Sequence, residues 1–197
     1  MFKPRFAVVL TLFLATASAF AQQPTTSGTF LLHKFAREIG KETYSIAQNG
    51  NTYTLTSHFL FTDRGTKVPL ETTFTANSAN LAPVSYAAKG RSSRESAMDD
   101  ALSVQNSSLT VTTSGKSQTV APQGPWFITD GYSPVAQQEQ MMRWWLANGK
   151  PAEFTVYPSG AKVHIEPSST LTVNGAAAHG YTIAVTSARL LMGRANP

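Results

Sequence analysis

The chain has 197 residues, a formal net charge of +5, and no cysteine. The lack of cysteine excludes disulfides, thiolate nucleophiles and cysteine-ligated metals. The excess of basic residues is small and dispersed along the sequence. It does not predict a nucleic-acid partner, because nucleic-acid-binding proteins concentrate Lys and Arg on one face.

Residues 1–21 have the three-part pattern of a secretory signal peptide. Lys3 and Arg5 precede an apolar run, and Ala19 and Ala21 occupy the positions of an A-x-A cleavage site. The run is shorter than the roughly 20 apolar residues that span a bilayer. The sequence therefore predicts export to the periplasm or the exterior of a bacterial cell, cleavage after Ala21, and no stable membrane insertion of the mature chain.

Residues 22–27 are polar and are expected to form a flexible leader. Residues 28–197 are then one β-rich domain, long enough to bury a sufficient core. Polar and apolar residues alternate on both sides of Asn49-Gly50, which is typical of a type I′ hairpin turn. Further alternating runs, separated by turns such as Ser114-Gly115, predict an antiparallel meander with one wet and one buried face.

One segment breaks the strand pattern and predicts a helix over about 133–148. Ser133 is expected to be its N-cap, Pro134 its first residue, and Gly149 its stop. Strand-like patterns return after Pro151. The predicted fold class is therefore mainly β, with a curved antiparallel sheet, a half-barrel-like meander, packed around one helix.

The sequence lacks the motifs of catalysis and cofactor binding. Its four histidines are isolated at positions 33, 58, 164 and 179, without the spacings that bring two imidazoles to one metal. His33 with His58, and His164 with Glu166, remain possible pairs in space. No nucleophile elbow and no glycine-rich phosphate loop is present, so no catalytic residue, metal or cofactor is predicted.

Two groups are candidates for ligand binding. Trp145, Met141 and Met142 could line an apolar pocket beside the helix, since aromatic rings and thioethers build adaptable sites. Packing of the helix on the sheet is the more common use of such residues. Arg91 and Arg94 could hold an anion in a bidentate manner, although charges of this kind more often protect a strand edge.

Several stretches of the sequence together carry a resemblance to a known family. They are Gly28-Thr29-Phe30, Ile39-Gly40-Lys41-Glu42, Leu55-Thr56-Ser57, Phe61-Thr62-Asp63-Arg64-Gly65, and the segment Gly131 to Ala136 that runs into Met142 to Gly149. With these stretches the chain resembles the β-rich N-terminal module that precedes the catalytic domain in some secreted bacterial amidohydrolase-superfamily proteins.

In that family a metal-dependent (β/α)₈ barrel follows the module, whereas this sequence ends at Pro197. The resemblance implies a stand-alone relative or a truncated fragment, and no catalytic residue can be carried over. The expected function is an exported, non-catalytic accessory or binding domain. Its expected partner is a catalytic amidohydrolase domain, or another chain that docks by strand addition beside residues 181–185.

Two other functions remain open at this stage. The expected architecture is also similar to lipoprotein-carrier half barrels, in which a lipid or another apolar ligand lies in the concavity of the sheet. That similarity concerns the fold alone, and a fold does not fix a function. An intact hydrolase is the least favoured alternative, because the chain offers no nucleophile or metal set.

Overall fold

The computed structural model describes residues 25–63, 65–91, 96–129, 133–173 and 176–186. The predicted signal peptide and Arg94 lie outside these residues. Among the helices in the described ranges, none is long and apolar enough to cross a membrane.

The first eight strands form one antiparallel sheet in chain order, which confirms the predicted meander. The sheet is open, because its first and last strands are edges and not neighbours. The first strand begins at Thr25, so residues 25–27, expected in the leader, belong to it. The strands are β1 (Thr25–Lys34), β2 (Arg37–Asn49), β3 (Thr52–Asp63), β4 (Thr66–Asn77), β5 (Pro83–Arg91), β6 (Ala97–Gln105), β7 (Ser108–Thr113) and β8 (Lys116–Val120).

The period of two in the sequence determines which face of this sheet is buried. Val68, Leu70 and Phe74 on β4 are buried, and the residues between them are exposed apart from Thr72, which shares the buried face. Phe74 lies opposite Leu55 on β3 and Tyr86 on β5, and both of these are buried as well. One face therefore carries the core.

The predicted β2–β3 hairpin is present, with its turn displaced by one residue. β2 continues through Asn49, and the turn consists of Gly50 and Asn51. Gly50 has φ +57, a left-handed conformation that glycine adopts without a steric penalty.

A second sheet was not expected from the sequence. It contains β9 (Trp126–Ile128), β10 (Phe154–Tyr157), β11 (Ala161–Val173) and β12 (Ala176–Thr186), in the order β12-β11-β10-β9. β9 and β10 run parallel, unlike every other pair in the described residues. The large sheet is the antiparallel meander that was predicted, whereas the parallel pairing of β9 with β10 was not anticipated from the sequence.

The helix α1 (Val135–Ala147) confirms the predicted helix and begins one residue after Pro134, the expected first helical residue. Aromatic rings connect it to both sheets. The ring centroids of Phe74 and Phe127 are 5.3 Å apart, those of Phe127 and Trp144 are 5.4 Å apart, and those of Trp144 and Phe154 are 5.1 Å apart. The two sheets and the helix share one hydrophobic core.

Candidate functional site

The N-terminal end of α1 is held by a carboxylate from a strand more than 90 residues away. The Glu42 side chain on β2 accepts hydrogen bonds from the backbone N–H of Val135 (2.6 Å) and of Ala136 (3.1 Å), and from the Ser57 hydroxyl (2.8 Å). Glu42 and Ser57 are both fully buried. The carboxylate thus satisfies N–H groups that a helix terminus leaves unpaired, and it lies at the positive end of the helix dipole.

This arrangement corrects the predicted helix start. Pro134 is the N-cap residue and makes no side-chain capping bond, while the Ser133 hydroxyl accepts a hydrogen bond from Thr129 at 2.8 Å. Sequence reasoning missed the role of Glu42, although a signal was present. Tyr44 and Ile46 on β2 pack against the core, and the period of two places Glu42 on the same face as these two residues.

Close packing of the strands supports this carboxylate. Gly40, two residues before Glu42, lies against the Leu60 carbonyl oxygen and Phe61 on β3, where a Cβ atom would collide. Glycine therefore allows β2 to approach β3 here. Burial raises the pKa of the Glu42 carboxyl above its ordinary value of 4.5, while the three hydrogen bonds oppose that shift.

Further polar side chains lie in the contact between α1 and the sheets. The Tyr53 hydroxyl donates to Gln140 Oε1 at 3.0 Å, and Gln137 Nε2 donates to the Ile128 carbonyl at 2.7 Å. Burial raises the pKa of Tyr53 to about 12, and the positive charge of Arg143 opposes this shift. The phenol therefore stays protonated and remains a donor.

The C-terminal end of α1 is held mainly by contacts of an aromatic side chain. The Trp145 ring lies 5.5 Å from the ring of Tyr181 on β12, and its indole N–H donates to the Pro151 carbonyl at 2.9 Å. Beside this contact is a surface depression of ≈ 390 Å³, lined by residues of β11 and β12 and by Lys150. The Lys150 ammonium lies 5.9 Å from the Trp145 ring centroid, so one cation borders the depression.

The two groups of predicted ligand-binding residues have different environments. Met141 and Trp145 are buried in the core, and Met142 packs against it. Arg91 is exposed at the end of β5, and Arg94 lies outside the described residues. Met141, Met142 and Trp145 therefore pack the helix on the sheets, which is the more common use of such residues.

His58 and His164 each lie beside a carboxylate that was not anticipated from the sequence. His58 Nδ1 is 3.5 Å from Glu71, and His164 Nε2 is 3.2 Å from Glu153, which also contacts Lys162 at 3.2 Å. All these side chains are substantially exposed. The part of the chain that the structure describes contains no group of three metal-ligating residues.

β12 is an edge strand with apolar side chains exposed on it. Ile183 lies opposite Ile165, and Val185 opposite Val163, on the neighbouring β11. Ile165 and Val163 are buried, whereas Ile183 is 38% exposed and Val185 is 59% exposed. Within the described ranges, no strand pairs with the outer edge of β12.

Comparison of the chain with protein-family models, curated proteins and solved structures found no match in any of the three. The class of the protein is therefore defined by its own fold. It is a mainly β protein with a large open antiparallel sheet and one helix in the described residues.

Proposed function

We propose that the chain is an exported, non-catalytic binding domain whose partner polypeptide docks as an added strand on the free edge of β12. One observation carries this proposal. The buried apolar side chains of Val163 and Ile165 on β11 are continued on β12 by Val185 and Ile183. These two side chains at the edge of the sheet are exposed. An edge strand with unpaired backbone groups and apolar side chains is a template for another strand.

The depression beside Trp145 and Tyr181 adds to this surface. In strand addition, the backbone hydrogen bonds provide affinity, and pockets for alternate side chains provide specificity. The depression is lined in part by His179 and Tyr181 of β12, the docking strand itself. Lys150 at its border favours a partner side chain that is acidic or polar.

The resemblance to the N-terminal module of secreted amidohydrolases suggests which partner this edge serves. In the proposal it is a catalytic amidohydrolase domain, or a second chain that supplies the strand. Export rests on the signal-peptide pattern of residues 1–21.

A lipid carrier is less favoured by the geometry. The space between the sheets and α1 is occupied by Phe74, Phe127 and Trp144, whose rings are in direct contact. An apolar ligand would need a cavity of roughly 300 Å³ or more in that space. Extraction of the purified chain with organic solvent, followed by mass spectrometry, is expected to yield no stoichiometric acyl species.

The docking edge can be tested with a displayed library of extended peptides. Peptides selected on the wild-type chain are expected to protect the β12 amides from hydrogen exchange. They should lose binding by about tenfold or more when Val185→Lys places a charge on the edge. Val84→Lys, which changes another exposed valine on β5, is the matched control and should leave binding unchanged. Peptides that bind both variants equally would contradict the proposal.

The non-catalytic part of the proposal has a separate test. Purified chain is expected to contain no stoichiometric zinc by elemental analysis, and to hydrolyse neither amide nor ester substrates. A tightly bound metal ion in each chain, together with hydrolysis, would make the chain an enzyme.

A further inference from the structure

Charged residues lie beside the turns at one end of the large sheet and are absent from the described turns at its other end. In an antiparallel meander, the β1–β2, β3–β4, β5–β6 and β7–β8 turns lie at one end of the sheet. Lys34, Arg37, Arg91 and Lys116 directly flank these turns, and Lys67 lies one residue further along β4. The acidic residue among the strand ends at these turns is Asp63, the last residue of β3. The turns at the other end, residues 50–51, 78–82 and 106–107, contain no charged residue. Basic residues that are dispersed in sequence are therefore distributed along one end of the sheet.

The β1–β2 turn at the basic end has an unusual composition. Its two residues are Phe35 and Ala36, with φ +49 and +62. Residues with a side chain rarely adopt this left-handed conformation, and two-residue hairpin turns favour Asn-Gly. The β6–β7 turn of the same sheet follows the preference more closely with Asn106 and Ser107. Phe35 therefore occupies its position at a conformational cost.

Packing does not offset that cost, because the Phe35 side chain is 90% exposed. Two more exposed apolar side chains lie on the same three strands, further from the turn. Leu31 on β1 and Leu60 on β3 flank Lys41 of β2, four residues after Arg37, and they are 59% and 39% exposed. A costly aromatic residue that stays exposed indicates a surface that becomes covered in use, and the exposed leucines on the same strands extend its apolar character.

We propose that the β1–β2 turn is a peripheral docking site for a bilayer surface that contains anionic lipid. Phe35 at the apex of the hairpin would enter the boundary between headgroups and acyl chains. Lys34, Arg37 and Lys67 would lie at the level of the anionic headgroups, and Glu38 is the acidic side chain that opposes them in this hairpin. An apolar apex between basic side chains is the combination by which peripheral proteins bind anionic membranes.

The same chemistry argues for lipid over nucleic acid or an acidic protein. Phosphate contacts would use the basic residues and would not require the aliphatic Leu31 and Leu60. With one aromatic residue and a few basic groups, the contact is weak and reversible, since stable anchoring requires stronger signals. The proposal is independent of the docking edge on β12.

The test uses vesicles of phosphatidylcholine, alone or mixed with phosphatidylglycerol, in a co-sedimentation assay. The chain is expected to bind the mixed vesicles, to ignore the neutral ones, and to be released by high salt. All variants carry the same N-terminus, so that any contribution of residues 1–21 is equal in each. Lys34→Gln is expected to weaken binding by about fivefold.

The decisive variant combines Phe35→Asn with Ala36→Gly. It replaces the turn by the preferred Asn-Gly pair, so its thermal midpoint should rise, while vesicle binding falls by roughly tenfold. The matched control is Ser107→Gly at the other end of the sheet, which also creates Asn-Gly. It should raise the midpoint and leave vesicle binding unchanged.

Three outcomes would overturn the proposal. One is equal binding to neutral and anionic vesicles. Another is vesicle binding that stays unchanged when Phe35→Asn and Ala36→Gly are combined. The third is binding to single-stranded DNA or an acidic polypeptide without any binding to vesicles, which would assign the basic end to a different class of partner.

Discussion

The two ends of α1 are attached to the rest of the protein by opposite chemistry. At its N-terminal end, the buried carboxylate of Glu42 holds the helix to the large sheet through hydrogen bonds. Towards its C-terminal end, Trp144 and Trp145 hold it to β9, β10 and β12 through ring contacts. The stabilisation from apolar burial does not depend on pH and has no directional requirement. The stabilisation from a buried carboxylate depends on its protonation and on the geometry of its hydrogen bonds.

The largest effect is expected at the aromatic end. Trp144 is 5% exposed and contacts Phe127 and Phe154, so Trp144→Ala should lower the free energy of unfolding by about 3 to 5 kcal/mol. Urea denaturation measures this change. Leu146→Ala, on the same helix but 46% exposed, is the control and should cost less than about 1 kcal/mol. Equal losses in the two variants would mean that Trp144 does not anchor the helix.

A smaller loss is expected at the polar end. Glu42→Ala leaves two backbone N–H groups and the Ser57 hydroxyl without their acceptor, and should lower the free energy of unfolding by about 2 to 3 kcal/mol. Glu38→Ala removes an exposed carboxylate from the same strand and should change it by less than about 0.5 kcal/mol. If the Glu42→Ala chain is as stable as the wild type, the cost of burying the charge offsets all three hydrogen bonds.

The smallest effect is a dependence on pH that only the polar end should show. Because burial raises the pKa of Glu42, the folded chain binds that proton more tightly than the unfolded chain. The resulting stabilisation is complete below pH 4.5 and is lost as the pH rises through the raised pKa of Glu42 in the folded chain. The stability advantage of the wild type over Glu42→Gln should therefore shrink with rising pH, by at most about 1.4 kcal/mol per pH unit.

Denaturation curves at a series of pH values on both sides of 4.5 measure this advantage. Glu38→Gln provides the control for a carboxylate on the same strand. An advantage that grows with rising pH would show that the hydrogen bonds from Ser57 and the helix outweigh desolvation in the folded chain.

Much of the fold could be predicted from local pattern. The alternation in β4, the turn signals and the Gly149 stop depend on neighbouring residues, and each led to the correct element. β9 is three residues long, which is too short to show a period, and its parallel pairing with β10 joins strands about 30 residues apart. Local pattern contains no information about such a pairing.

The candidate sites were less predictable for the same reason. Trp145 and Met141 were singled out by residue type, and they proved to be buried in the core. Glu42 was not singled out, because its partners Val135 and Ala136 lie more than 90 residues further along the chain. Phe35 was not recognised either, since a phenylalanine in a strand-like run resembles a core residue until its exposure is known.

The sequence by itself determined that the chain is mainly β with one helix, and it determined the buried face of strands such as β4 in which apolar residues alternate, because these follow from the spacing of apolar residues. Only the tertiary structure decided that a strand carboxylate caps the helix and that β12 exposes Val185 and Ile183 at the edge of its sheet. It also decided that basic residues from several turns lie at the same end of the large sheet as the exposed Phe35. These features arise when strand pairing brings together residues that are distant in the chain, and that proximity is a property of the packed structure.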